Sequence, residues 1–186
     1  MSERDQTALI VIDMQMDVVA NAHLRAEVIA TIAGLVEQAR AAGLPVVWVQ
    51  HHDDYLQRGS PDWQLVPELQ PQAGEPVIHK AYPDAFAETE LAAELERLGV
   101  RQLVLCGAQS DVCITSTLTG GLYRGYSVTL VEDAHTTEPG DFGGRAYPPA
   151  ETIAWINRQA AGTRLPGVSA RLVTHDRAFA EPVGQG

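Results

Sequence analysis

Short apolar runs alternate along this chain with longer stretches whose apolar positions recur at helical spacing. Residues 8–12, Ala-Leu-Ile-Val-Ile, form a near-continuous β-branched run, the pattern of a strand covered on both faces. Residues 24–42 place Val28, Ile29, Ile32, Leu35, Val36 and Ala39 on one helical stripe, and Gly43 follows where a helix would stop. Strands are predicted at 46–49, after Pro45, and at 77–80, after Pro76. A helix at 89–98 closed by Gly99 leads to a strand at 102–106, and a helix at 112–123 ends near Gly125. A strand at 127–131, a helix at 152–160 and a short strand at 170–173 complete the pattern.

Repeated strand–helix–strand units imply right-handed crossovers. The expected architecture is α/β: one three-layer, doubly wound, Rossmann-like domain over 1–186, with a mostly parallel six-stranded sheet and helices on both faces. The segments 53–74 and 136–149 are rich in Gly, Pro, Asp and Gln and read as long loops. Loops of that length serve as lids or binding loops, or as arms between subunits, and both readings stand.

Charge narrows the partners. With 13 basic and 24 acidic residues the formal net charge is -11, which disfavours nucleic acid and anionic membrane surfaces. No apolar run approaches the roughly 20 residues that span a bilayer, and the polar start Met1-Ser2-Glu3-Arg4-Asp5-Gln6 does not read as a signal peptide. Two cysteines make no disulfide framework. The expectation is a soluble, cytoplasmic, single-domain protein.

Ligands of an open parallel sheet bind at the carboxyl ends of its strands. The first strand delivers Asp13 there and the third delivers Lys80. The fourth runs into Gly107-Ala108-Gln109-Ser110-Asp111-Val112-Cys113. Acid, amine and thiol thus converge from three segments. The turns carry too few glycines for a dinucleotide, and the phosphate loop, GxSxG and HExxH are absent.

Cys113 should sit in the first turn of a helix, where unpaired N–H groups and the dipole stabilise a thiolate and can receive an oxyanion. The alternative is a buried, inert thiol, a role that suits Cys106 within its apolar strand. Asp13 reads as a general base or as a turn cap, and Lys80 as its partner cation or as a surface lysine. His51-His52-Asp53-Asp54 follows the second strand. Adjacent side chains on an extended backbone point opposite ways, so His51 reads as a polar substrate contact or part of a solvated loop rather than as a metal ligand. His135 lines the cleft or makes a structural hydrogen bond. Trp63, Tyr82 and Phe86 form an apolar pocket wall or pack in the core. No metal or other cofactor is expected.

These blocks resemble the isochorismatase-like cysteine hydrolases, which include nicotinamidases, N-carbamoylsarcosine amidases, ureido and biuret hydrolases and streptothricin hydrolase. The resemblance rests on 9–15 (Leu-Ile-Val-Ile-Asp-Met-Gln), 77–80 (Val-Ile-His-Lys), 107–114 (Gly-Ala-Gln-Ser-Asp-Val-Cys-Ile) and 124–134, in that order. It implies an Asp13–Lys80–Cys113 triad. It also implies a cis peptide at Ala108–Gln109 that turns the Gln109 N–H toward an oxyanion beside the N–H of Cys113. The implied activity is hydrolysis of an amide, lactam or ureido C–N bond through a thioester, in a homodimer or larger homo-oligomer. Met16 and Val18 depart from the Asn and Phe common in the family, and His51-His52-Asp53 replaces the metal-binding Asp-x-His of nicotinamidases. Gly59-Ser60-Pro61-Asp62-Trp63 and 133–137 look most like the streptothricin-hydrolase branch. Two other readings remain. One is the vinyl-ether hydrolysis of isochorismatase proper, whose site carries no cysteine nucleophile. The other is a binding or assembly subunit without turnover.

Overall fold

β1 (Thr7–Ile12) is buried along its whole length, and its alternation divides the core in two. Leu9 and Val11 face one apolar layer with Trp48, Val104 and Cys106, while Ala8, Ile10 and Ile12 face another with Val47, Val49, Leu103 and Leu105. The computed structural model describes residues 6–180. The first layer packs under Ile32, Leu35 and Val36 of α1 (Arg25–Ala41). The second receives Leu91 and Leu95 of α2 (Leu91–Arg97), Leu118 and Leu122 of α3 (Thr115–Tyr123), and Ile156 and Ala160 of α4 (Pro149–Gly162). A period-two strand between period-3.6 stripes is what a sheet covered on both faces requires.

The sheet runs β3 (Val77–Lys80), β2 (Val46–His51), β1, β4 (Gln102–Ala108), β5 (Ser127–Thr136), β9 (Val168–Val173) and β8 (Arg164–Leu165). All neighbours pair parallel except β8 with β9. The chain winds outward from β1 through β2 to β3, then returns to pair β4 with the other side of β1. The winding therefore reverses between β1 and β4, and the crevice of a doubly wound sheet opens there.

The structure corrects the sequence-based elements in three places. The sheet has seven strands rather than six, because β8 is a two-residue edge strand turned back by Gly167, too short to show a period. β5 continues to Thr136 after a register shift opposite Leu105 and Gly107, which carries His135 to the ligand edge. The predicted loop 136–149 contains the exposed hairpin β6 (Gly140–Phe142) and β7 (Arg145–Tyr147). Segment 53–74 is loop, as expected, fastened by one bridge between Gln15 and Leu65. Among the described residues no helix is long and apolar enough to cross a membrane.

Candidate active site

The crevice is made possible by a glycine. Gly107 has φ 122, and a Cβ there would lie 2.0 Å from the carbonyl oxygen of Ile12. Only a residue without a side chain lets β4 approach the end of β1 this closely. One residue on, Asp13 leaves β1 with φ 51, in the left-handed region that Asp tolerates better than most residues. Its N–H bonds to Val49 O at 2.9 Å, so the turned backbone is anchored on β2.

Lys80 ends β3, and its side chain is fully buried. Its ammonium has three N–H donors and finds three acceptors: Asp13 Oδ2 at 2.7 Å, Cys113 Sγ at 3.2 Å and His51 Nδ1 at 3.3 Å. Lys80 and His51 are register partners on neighbouring strands, which brings the imidazole to the ammonium. Because Nδ1 accepts, the His51 proton is assigned to Nε2, which faces Asp53 Oδ2 at 3.3 Å. Burial alone would lower the Lys80 pKa, but the Asp13 carboxylate and Cys113 outweigh it and the net shift is upward.

Cys113 sits in a π-helical turn, Ser110–Ile114, which runs directly into α3. The turn is held by Ile114 N–H to Gln109 O at 3.1 Å and Thr115 Oγ1 to Ser110 O at 2.7 Å. The preceding Ala108–Gln109 peptide is cis. The thiol does not follow the helix-terminus expectation of a stabilised thiolate. Burial, reinforced by the nearby Asp13 carboxylate and only partly offset by Lys80, pushes it up to about 12. The thiol therefore keeps its proton beside the Lys80–Asp13 ion pair. Asp13 Oδ1 is buried and has no hydrogen-bond partner among the described residues.

A cleft of about 460 Å³ opens above it, and Asp13, His51, Gln109 and Cys113 contribute to its lining. Ala108 is buried behind the cis peptide. The other expected pocket residues lie elsewhere. Phe86 is in the core, stacked on Tyr126 at 5.7 Å, and Trp63 packs on His79 at 5.4 Å. Tyr82 is solvent-exposed. His135 is buried between Ser110 Oγ and Asn157 Oδ1, each at 2.8 Å, and bonds the turn that carries Cys113 to α4. It thus takes the structural hydrogen bond that the sequence left open.

Sequence reasoning missed several lining residues: Asp17 and Asn21 after β1, Tyr55 and Leu56 after β2, and Glu138 after β5. They come from irregular segments with no periodic signal. It also missed the role of Gln15, whose buried amide donates to His51 O and Trp63 O, both at 2.9 Å, and accepts from the His51 N–H at 2.7 Å. His51 and His52 do face different partners, since His52 Nε2 lies 3.0 Å from the Arg58 guanidinium. No three His, Cys, Asp or Glu side chains among the described residues are grouped to hold a metal.

The doubly wound sheet thus packs carboxylate, ammonium and thiol together at its switch point. Comparison with known proteins gives the lineage. The isochorismatase domain model matches residues 7–145, and the chain belongs to that family. It is 32% identical to the ureidoacrylate amidohydrolase RutB of Caulobacter segnis, over 69% of this chain and 71% of that protein. It is 35% identical to a streptothricin hydrolase of Streptomyces noursei, over 70% of this chain but only 49% of that protein, so it spans about half of that relative. A solved isochorismatase from Pseudomonas putida superposes with a TM-score of 0.84 at 29% identity, covering 94% of this chain and 91% of the other. A cysteine hydrolase from Pseudomonas syringae pv. phaseolicola shares the fold, with a TM-score of 0.87 at 24% identity over 95% and 92% of the two chains.

Proposed function

We propose that the protein is a cysteine-dependent hydrolase that cleaves a non-peptide C–N bond, in an amide, lactam or ureido group of a small molecule, through a thioester on Cys113. The observation that carries this reading is the Lys80 ammonium set between Asp13 and Cys113 at 2.7 and 3.2 Å beneath an open cleft. Similarity to an amidohydrolase supports the bond class.

The neutral resting thiol fixes the order of events. Asp13 accepts the Cys113 proton as sulfur attacks the carbonyl carbon, so the thiolate exists only while the new bond forms. The carbonyl oxygen becomes an oxyanion held by backbone N–H groups of Gln109 and Cys113; among the described residues the Gln109 N–H has no acceptor in the protein. Collapse expels the amine, which leaves with the proton carried by Asp13. A water that gives its proton to Asp13 then hydrolyses the thioester, and Cys113 recovers its proton. Lys80 holds the carboxylate in place and compensates the negative charge throughout.

The test is intact-mass spectrometry after incubation with a panel of amides, lactams and ureido compounds, on wild type and Cys113→Ala. An acyl adduct or turnover on wild type alone is expected. Full turnover by Cys113→Ala on the same substrate would overturn the reading.

A further inference from the structure

The cleft carries more negative charge than the chemistry above uses. Asp17, Asp53 and Glu138 line it in addition to Asp13, and no Lys or Arg among the described residues does. Lys80 lies underneath, paired with Asp13. Asp53 is engaged, since Oδ1 accepts the Tyr55 and Leu56 N–H groups at 2.8 and 2.7 Å and Oδ2 faces His51. Asp17 and Glu138 are exposed and have no basic partner among the described residues. They come from opposite sides of the crevice, after β1 and after β5.

Exposed acids alone would be a solvated rim. Two further observations point inward. Asp13 is only 1% exposed, lines the cleft, and has Oδ1 without a hydrogen-bond partner in the protein, so the floor adds a buried acceptor to the two exposed ones. Tyr55 is 97% exposed at the same cleft, a large ring held out in solvent by the Asp53 turn, and its face can cover a cation. Low-dielectric walls lined by one sign of charge concentrate ligands of the other sign.

We propose that the substrate of this cleft is a cation, an amide, lactam or ureido compound with a separate ammonium or guanidinium group that Asp17 and Glu138 receive beside the Tyr55 ring. This rests on the cysteine-hydrolase reading and adds the charge class of its substrate. A neutral or anionic substrate leaves both carboxylates without a task, and an anionic one is repelled by them.

The test uses Cys113 itself as the detector. Three methanethiosulfonates of similar size, bearing trimethylammonium, sulfonate or a plain methyl group, form a mixed disulfide with the thiol and release methanesulfinate. Fragment ions of the 102–124 tryptic peptide, which holds both cysteines, assign the modified residue; Cys106 is buried. Each rate is divided by that with 2-mercaptoethanol, a thiol with no other charged group, which removes intrinsic reagent reactivity. The cationic reagent is expected to modify Cys113 about tenfold or more faster than the anionic one at low salt. That ratio should collapse near 1 M salt, where the screening length is about 3 Å. Asp17→Asn with Glu138→Gln should lower the ratio severalfold. Glu37→Gln with Glu96→Gln, the same charge change toward the other end of the sheet, should leave it unchanged. A ratio at or below one, or one that Asp17→Asn with Glu138→Gln does not move, overturns the cation while leaving the hydrolase reading intact. A Cys113 that resists even the methyl reagent overturns both.

Discussion

On the proposed mechanism, replacing Asp13 should make the Cys113 thiol easier to ionise even as it stops turnover. In the Asp13→Asn variant the Cys113 thiol loses a neighbouring negative charge that raises its pKa and keeps the Lys80 ammonium, 3.2 Å away, that lowers it. A unit charge about 4 Å away is worth about 4 kcal/mol at an effective dielectric near 20, or roughly 3 pKa units. The thiol should therefore fall from about 12 to roughly 9, with burial still holding it above an ordinary cysteine. Near pH 8 the thiolate fraction rises by about three orders of magnitude, while nucleophilicity falls by a little over one order because the Brønsted slope is about 0.4 to 0.5. The net gain in exchange with a dipyridyl disulfide is about thirty- to fiftyfold. The assay is stopped-flow release of the pyridinethione across pH, with near-UV circular dichroism as the control for folding. The wild-type rate should climb through the alkaline range without levelling, whereas the variant should level near pH 9. A variant that reacts no faster and whose profile still climbs would refute the idea that Asp13 holds the thiol neutral.

Other consequences follow from the same contacts. Lys80→Met leaves a buried, uncompensated carboxylate and should lose about 3 to 5 kcal/mol in urea unfolding. The double variant Asp13→Asn with Lys80→Met should recover most of that loss while remaining inactive, and equal losses in single and double variants would contradict the pairing. Gly107→Ala puts a Cβ 2.0 Å from Ile12 O at φ 122, so β1 and β4 must separate just before Asp13. Its melting temperature and its Cys113 reactivity should both drop, and a native-like melting curve would show that the approach is looser than the structure has it. His135 is kept neutral, mainly because burial lowers its pKa. A folded pKa below the unfolded one means that full stability is present above about pH 6.5 and is lost as pH falls below that value toward the folded pKa. His135→Gln, though weaker at neutral pH, should show a smaller fall between pH 7.5 and 5.5 in the urea midpoint, and an unchanged slope would assign the acid sensitivity elsewhere.

How much of this was legible beforehand depends on what each residue answers to. Residues 8–12 answer to a local rule, because a β-branched run buried on both faces has few other structures available, and Asp13 at its end then falls on the ligand edge. The same logic placed Lys80 and the turn before Cys113. Phe86 and His135 answer to the packing of segments far apart in sequence. Phe86 meets Tyr126, and His135 meets Ser110 and Asn157, contacts that no local period encodes. The rim residues Asp17, Tyr55 and Glu138 sit on irregular backbone, whose path is set by hydrogen bonds such as those of Gln15 to His51 and Trp63. The direction of the thiol shift escaped for another reason. A helix terminus acts through partial charges, whereas desolvation and a full carboxylate charge beside the sulfur act more strongly and in the opposite sense.

On the proposed mechanism, a thiol with so high a proton affinity can still react near neutrality. Expelling its proton to water would create a thiolate next to a carboxylate in a dry pocket, and about 12 measures the difficulty of that process. Transfer to Asp13 is a different process. Before it the buried set holds a thiol, a carboxylate and an ammonium; after it, a thiolate, a carboxylic acid and the same ammonium. The net charge does not change, so no ion crosses between solvent and a low-dielectric interior, where such a crossing costs several kcal/mol. Lys80 touches both the donor and the acceptor of that proton, and its favourable contact passes from oxygen to sulfur as the negative charge does. His51 occupies the third N–H of the ammonium, which leaves the other two directed at the pair that exchanges the proton. On this account His51→Ala should let the ammonium rotate or admit water. Single-turnover acylation should then slow while the melting temperature and substrate affinity change little. A large loss of affinity with normal acylation would instead make His51 a substrate ligand.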